Sequence, residues 1–412
     1  MKKAQTTTQK ILAFIGFFVL LSVLGVTVYF LDGSQSDSSK PSSLSFIFRN
    51  DVWADYKFPG CSKPNLLNKE KTSGGISQVD QYLKYPNNKF GLYAYPDEQL
   101  LVKAEEMVNG RGGDWGYVLI PFNVQELDDT KWFKLFWGLS ELHLTPVVQL
   151  WNIDQKGDID KQINESADFL NSLPWPTEKR FVSVYNETND ARFWGGKVEP
   201  NQYAEVLSKT ADKLHKLDKR FFVMNGAFNA SARNGKGYMD EEKYLYEMNQ
   251  AEPGVFKKLD GWASHPYPQP NFSGSPDDKG RDSIRAYEWE LLILKHFFEV
   301  ENLPVFITET GWAHAEGKDY DDSYPSEKQA AKNYVEAFEK VWLDDPRVVA
   351  VMPFTIIYDE PFDHFSFIHK DDKGVYEPFN SLRDYPKTAG LPDLSAEHFN
   401  RINEVGPCSP GK

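Results

Sequence analysis

The feature that most constrains this chain is an alternation of short β-rich apolar runs with longer amphipathic stretches, repeated eight times from residue 89 onward. The runs are 89–95 (KFGLYAY), 115–122 (WGYVLIPF), 145–151 (TPVVQLW), 180–185 (RFVSVY), 221–225 (FFVMN), 261–265 (GWASH), 304–308 (PVFIT) and 348–353 (VVAVMP). Runs this short and apolar suit strands buried on both faces, which parallel sheets require. Seven stretches at helical period are expected to follow them, at 97–108, 130–142, 159–173, 200–217, 238–248, 284–301 and 326–343. In 200–217, for example, Tyr203, Val206, Leu207, Ala211 and Leu214 fall on one helix face. Asp128 before one stretch and Pro200 at the start of another are helix-start signals. Eight such units in one continuous segment predict an α/β chain closed into a (β/α)8 barrel. An open doubly wound sheet has fewer units and a glycine turn leaving its first strand. The one glycine cluster, 110–116 (GRGGDWG), enters a strand instead.

Ahead of the barrel, residues 11–31 form an unbroken uncharged apolar run, long enough as a helix to span about 30 Å. Lys2, Lys3 and Lys10 precede it and Asp32 follows, so the positive-inside rule predicts a cytoplasmic N-terminus and an extracytoplasmic remainder. A cleaved signal peptide is the rival, but the run exceeds such a core and no A-x-A site follows it. The Ser-rich segment 32–45 reads as a flexible tether. The predicted organisation is therefore 1–31 as cytoplasmic tip and membrane anchor, 32–45 as linker, and 46–412 as a single barrel domain with terminal extensions. The two cysteines, Cys61 and Cys408, are expected to form a disulfide in that oxidising compartment, with two free thiols as the alternative. Lys and Arg number 46 against 60 Asp and Glu, a net charge of −14 without a basic block, which excludes a nucleic-acid partner.

In a parallel barrel the chemistry sits where the strands end. The fourth run ends in Tyr185-Asn186-Glu187-Thr188-Asn189, the seventh in Thr308-Glu309-Thr310-Gly311-Trp312 and the sixth in Ser264-His265-Pro266-Tyr267. Two carboxylates facing each other across a cavity are what glycosidic cleavage needs, one as acid and the other as attacking or stabilising group. Asn186 is suited to bind a sugar hydroxyl, and His265 and Tyr267 to orient Glu309. Trp151, Trp194 and Trp312 lie near the same strand ends and are candidates to stack on sugar rings, with core packing as the alternative for each. No zinc-ligand spacing and no G-x-S-x-G elbow occurs.

Over roughly residues 89–356 the chain resembles the clan A glycoside hydrolases, retaining (β/α)8 enzymes. The resemblance implies that Asn186 and Glu187 are the Asn-Glu pair after strand four, with Glu187 as general acid/base. It implies that Glu309 is the nucleophile after strand seven, and that His265 and Tyr267 match the His and Tyr after strand six. It further implies a polysaccharide or oligosaccharide substrate and no cofactor; no metal is expected, and the chain is expected to act as a monomer tethered to the membrane by its N-terminal helix. Many clan members carry an Arg near the end of strand two, where this chain reads Ile120-Pro121-Phe122-Asn123; many carry a Trp after strand eight, where it reads Met352-Pro353-Phe354-Thr355, leaving Phe354 as the candidate platform. Those departures keep two other readings in play: a barrel that binds polysaccharide without cleaving it, and a transglycosylase using the same two Glu.

Overall fold

The computed structural model describes residues 86–396 apart from 315, 316, 318, 319 and 371–373, all within the compact unit Leu67–Lys412. The predicted anchor at 11–31, the linker at 32–45 and the Cys61–Cys408 pair lie outside the described residues. Among the described residues no helix is long and apolar enough to cross a membrane.

Eight parallel strands follow one another: β1 (Gly91–Tyr93), β2 (Tyr117–Asn123), β3 (Thr145–Trp151), β4 (Arg180–Val184), β5 (Phe221–Asn225), β6 (Trp262–Ser264), β7 (Val305–Ile307) and β8 (Val348–Val351). Each is followed by a helix: α1 (Glu98–Val108), α2 (Asp129–Glu141), α3 (Ile159–Ser172), α4 (Pro200–Leu217), α5 (Glu241–Ala251), α6 (Ala286–Phe298), α7 (Glu327–Ala337) and α8 (Glu377–Arg383). The expected eight strands are all present, and β3, β5 and α4 have the expected bounds. The helix expected at 326–343 changes pitch part-way, continuing past α7 as a π-helical turn at Phe338–Trp342. Helix α8 had no counterpart in the sequence reading. It is seven residues long, too short for its periodicity to stand out.

Strands β1 to β5 form one ladder and β6 to β8 another, and two seams close them into a barrel. At the first, Phe90 bridges Val351, and the Tyr93 N–H donates to the Pro353 carbonyl at 3.0 Å. At the second, Met224 bridges Gly261 and the Asp260 N–H donates to the Val223 carbonyl at 2.9 Å, with side chains adding to the ladder. Asn225 accepts from the Ala263 N–H and donates to the Ala263 carbonyl, both at 2.9 Å, while Asp260 accepts from the Val223 N–H at 2.8 Å. A buried strand edge must satisfy its backbone groups, and two residues do so here.

Period-two alternation sorts the side chains of each strand. Val118, Ile120, Val148, Val182 and Val184 face the helices in the larger core cluster. Tyr117, Phe181, Phe222 and Phe306 face inward and fill the barrel floor, with Phe181 and Phe306 rings 5.0 Å apart. One step nearer the strand ends the inward residues turn polar: Gln149 and Ser183 are register partners, and Ser183 donates to the Asn225 carbonyl at 2.9 Å. An aromatic floor thus carries a polar layer, and the strand ends stand on that layer.

Behind β6, a buried carboxyl on α6 belongs to the fold itself. Glu290 accepts from the Trp262 indole at 2.7 Å, and burial pushes its carboxyl up to about 7, against the lowering influence of its hydrogen-bond donors, of His265 and of Arg281. The unfolded chain releases this proton near the ordinary glutamate value of 4.5. Its contribution to stability is therefore complete below that pH and is lost as the pH rises to about 7, a change of about 3 kcal/mol. Glu290→Gln keeps the acceptor for Trp262 and removes the titration. Urea unfolding should show the wild type losing more stability than the variant between pH 5 and pH 7.5; an equal loss in both proteins would refute the assignment.

Candidate active site

The end of β4 is forced into an uncommon backbone. Tyr185 and Glu187 have φ of +71° and +38°, a left-handed region that costs a non-glycine residue of order 1–3 kcal/mol and persists only where the surroundings fix it. Here they do. The Tyr203 hydroxyl on α4 donates to the Val184 carbonyl at 2.9 Å and accepts from the Gly226 N–H at 2.7 Å. Gly226 is glycine because a Cβ there would lie 2.5 Å from the Tyr185 carbonyl oxygen. The Glu187 N–H donates to Ala227 at 2.8 Å, and the Asn189 amide joins the Glu187 loop to Asn229 and Met239 at 3.0 to 3.2 Å. Glu309 emerges from β7 in a segment held by Thr310, whose hydroxyl donates to the Pro266 carbonyl at 2.8 Å.

These strand ends converge. Glu187 and Glu309 are each 8% exposed, and His265 is 2% exposed. Imidazole Nδ1 of His265 lies 3.0 Å from Glu187 Oε1 and 3.7 Å from Glu309 Oε2. The Tyr267 hydroxyl donates to Glu309 Oε2 at 3.1 Å. One correction follows: His265, expected to orient Glu309, makes its hydrogen bond to Glu187, and orientation of Glu309 falls to Tyr267. The reason is register, since β6 ends at Ser264 and places the imidazole between the two acids.

Electrostatically the three groups act together. Burial pushes the Glu309 carboxyl up to about 7 and the Glu187 charge adds to this, while His265 and the Tyr267 hydroxyl oppose it. Burial alone pulls the His265 imidazole down, but the neighbouring Glu309 and Glu187 outweigh it and hold it above its ordinary value. The ionisation of Glu309 therefore depends on the state of the imidazole beside it. Glu187, His265 and Glu309 also offer ligand atoms that all lie within 4.8 Å of one another, an arrangement on which a cation could close. The donor set favours a proton: a metal-bound imidazole must be neutral, and the two acids beside His265 favour its protonated form.

The aromatic candidates divide. Trp194 is buried in the core, its indole donating to Gln202 at 3.2 Å and its ring packed against Tyr185 and Tyr203. Trp312 is also fully buried, donating to the Gly274 carbonyl at 2.7 Å and packing on Tyr334. Neither is available to a sugar ring, which corrects the expectation for both; their loops turn the indoles back beneath the mouth. Trp151 is half-buried at the end of β3, with its indole donating to Gln149 at 2.7 Å. Phe354 stands at the edge of a cluster with Tyr93 and Tyr358, each 5.2 Å away. Asn186 is 4% exposed beside Glu187, its oxygen accepting from Gln149 at 2.9 Å.

The sequence reading missed Gln149, Tyr93 and Tyr358. Gln149 had a signal: it is the polar residue at an inward position of an otherwise apolar strand. Burial and then the charge of nearby Glu309 hold the Tyr93 and Tyr358 hydroxyls above their ordinary value. Phe365 from the segment after β8 packs against Phe272 at 5.1 Å and Tyr267 at 6.0 Å, which shelters the hydroxyl that serves Glu309.

No family model matches the chain, and no curated protein matches it. Among solved structures it is similar to a monomeric β-xylosidase from Caulobacter crescentus CB15, at 16% identity over 76% of this chain and 71% of that one, with a TM-score of 0.51. It is likewise similar to a GH39 β-xylosidase from Caulobacter crescentus, at 16% identity over 76% and 75% of the two chains and a TM-score of 0.52. At such identities the likeness shows the fold. The chain thus shares the barrel architecture of these structures.

The cluster makes a prediction that needs no substrate. Because His265 lowers the Glu309 carboxyl, His265→Asn should raise its titration midpoint. Carboxyl 13C NMR, with the Glu309 resonance assigned by its loss in Glu309→Gln, should show the midpoint moving to higher pH; an unchanged or lowered midpoint would mean that the imidazole does not govern this acid.

Proposed function

We propose that this chain is a retaining glycoside hydrolase of clan A type, with Glu187 as general acid/base and Glu309 as nucleophile. One observation carries the mechanism. Oxygens of the two carboxyl groups approach within 4.8 Å, which supports the close pairing of about 5–5.5 Å used by retaining enzymes over the about 6.5–9.5 Å of inverting pairs. In the first step Glu187 protonates the departing glycosidic oxygen while Glu309 attacks the anomeric carbon and forms a glycosyl ester. In the second, Glu187 takes a proton from water, the water oxygen attacks the same carbon, and Glu309 leaves as carboxylate. The Tyr267 hydroxyl stabilises Glu309 as an anion, and His265 supplies positive charge between the acids. The chain requires no cofactor for these steps.

A carbohydrate substrate is supported by the barrel fold shared with two β-xylosidases and by the aromatic wall of Phe354 and Tyr358, whose faces suit the apolar faces of sugar rings. The uncharged run at 11–31 supports single-pass anchoring with the barrel outside the cytoplasm, acting as a monomer on poly- or oligosaccharide.

Product stereochemistry and a substitution test the reading together. With 4-nitrophenyl β-xyloside and β-glucoside, 1H NMR should show the β-anomer released first, and Glu309→Gln should lower turnover at least about 1,000-fold while circular dichroism stays unchanged. Release of the α-anomer first would overturn retention. Saturable glycan binding without release of reducing ends would return the binding-barrel reading, and transfer products at high acceptor concentration the transglycosylase.

A further inference from the structure

At the end of β3, two side chains that take no part in the proton transfers control the third. The Trp151 indole is a donor only, and it donates to Gln149 Oε1 at 2.7 Å. With its oxygen occupied, Gln149 must present its NH2 group, which donates to Asn186 Oδ1 at 2.9 Å. That in turn fixes the Asn186 amide with its oxygen turned inward and its nitrogen free. Among the described residues no acceptor meets Asn186 Nδ2, and this nitrogen is not one of the fully buried atoms without a partner. The direction of every amide in the series follows from the one group that cannot reverse, the indole N–H.

Gln149 is fully buried inside the polar layer of the barrel, in register with Ser183, so nothing lets it swing away. An unanchored Asn could turn either its oxygen or its nitrogen toward a substrate at little cost. One anchored through Gln149 cannot, because reversing Asn186 alone would set its NH2 against that of Gln149, and reversing Gln149 with it would set the Gln149 NH2 against the Trp151 indole N–H, each mismatch leaving a buried group unsatisfied.

We propose that Gln149, held by Trp151, is a positioning residue that presents Asn186 to the substrate as a hydrogen-bond donor only. This rests on the glycosidase reading above. The hydroxyl beside the anomeric carbon is the group whose hydrogen bonds strengthen in the glycosidic transition state, and Asn186 adjoins the acid/base at the carbon Glu309 attacks. A donor-only Asn186 requires that hydroxyl to act as acceptor. The effect of Gln149 should therefore be felt in kcat and should vanish when that hydroxyl is absent.

The test compares two variants of the full chain, Gln149→Met, which removes the donor at similar volume, and Trp151→Phe, which removes the anchor at a half-buried position. Each is assayed on the aryl β-glycoside that the wild type turns over and on its 2-deoxy analogue. Gln149→Met should lower kcat/KM for the parent about 10- to 100-fold, mostly in kcat, and for the 2-deoxy analogue less than about 3-fold; Trp151→Phe should show the same split more weakly. Equal losses on both substrates would show a merely structural role and overturn the proposal, as would no loss on either. If Gln149→Met does not fold, Trp151→Phe alone decides between these outcomes. A wild type that turns over no glycoside of the panel overturns the glycosidase reading, and this one with it, whereas an active wild type with indifferent variants overturns this one alone.

Discussion

Two carboxyl groups with oxygens less than 5 Å apart in a buried cleft cannot both hold full charge without help, and the rest of the site is arranged around that constraint. At such separations in a low-dielectric mouth, like charges repel by more than a fold can easily absorb. The structure answers with two devices: an imidazole set between the acids and a phenol hydroxyl aimed at Glu309. Each requires a strand end at a particular height. Glu187 reaches its place only through a left-handed backbone, and that conformation is held from behind by Tyr203 and by the Asn189 amide.

The barrel makes the arrangement affordable by separating its layers. Aromatic rings close the floor and exclude water from below, while Gln149, Ser183 and Asn225 form the polar layer above them. Asn225 serves twice, closing the β5–β6 seam through the Ala263 backbone and accepting Ser183 through its own carbonyl. The same seam brings β6, and with it His265, to the correct height. A closure bond and a site residue are thus two consequences of one register.

Much of this was legible in the sequence because it depends on local pattern. Runs of apolar β-formers gave all eight strands, and the rule that strand ends carry chemistry selected Glu187, Glu309, His265 and Tyr267. Side-chain direction beyond the strand end was not legible. Trp194 and Trp312 sit as close in sequence to the two acids as a sugar platform would, yet loop geometry folds both indoles into the core. Hydrogen-bond partners chosen across the barrel were equally hidden: the pairing of His265 with Glu187 joins residues 78 apart, and no spacing encodes it. Gln149 lay between, since its polarity was visible but the residue it would hold was not. The membrane anchor and the cysteine pair, outside the described residues, remain expectations of the sequence.

The departure at strand two now takes on physical meaning. Where many clan A barrels place an Arg near the end of that strand, this chain ends β2 at Asn123, and the groups that act on Glu309 are His265, Glu187 and Tyr267. A guanidinium is charged at every accessible pH and would hold a neighbouring carboxylate ionised regardless of conditions. An imidazole does so only while it keeps its proton. Burial pushes the Glu309 carboxyl up to about 7, and His265, itself held above its ordinary value by the two acids, opposes that rise. A titratable cation beside Glu309, where a permanent one could stand, makes the charge on Glu309 depend on whether His265 keeps its proton.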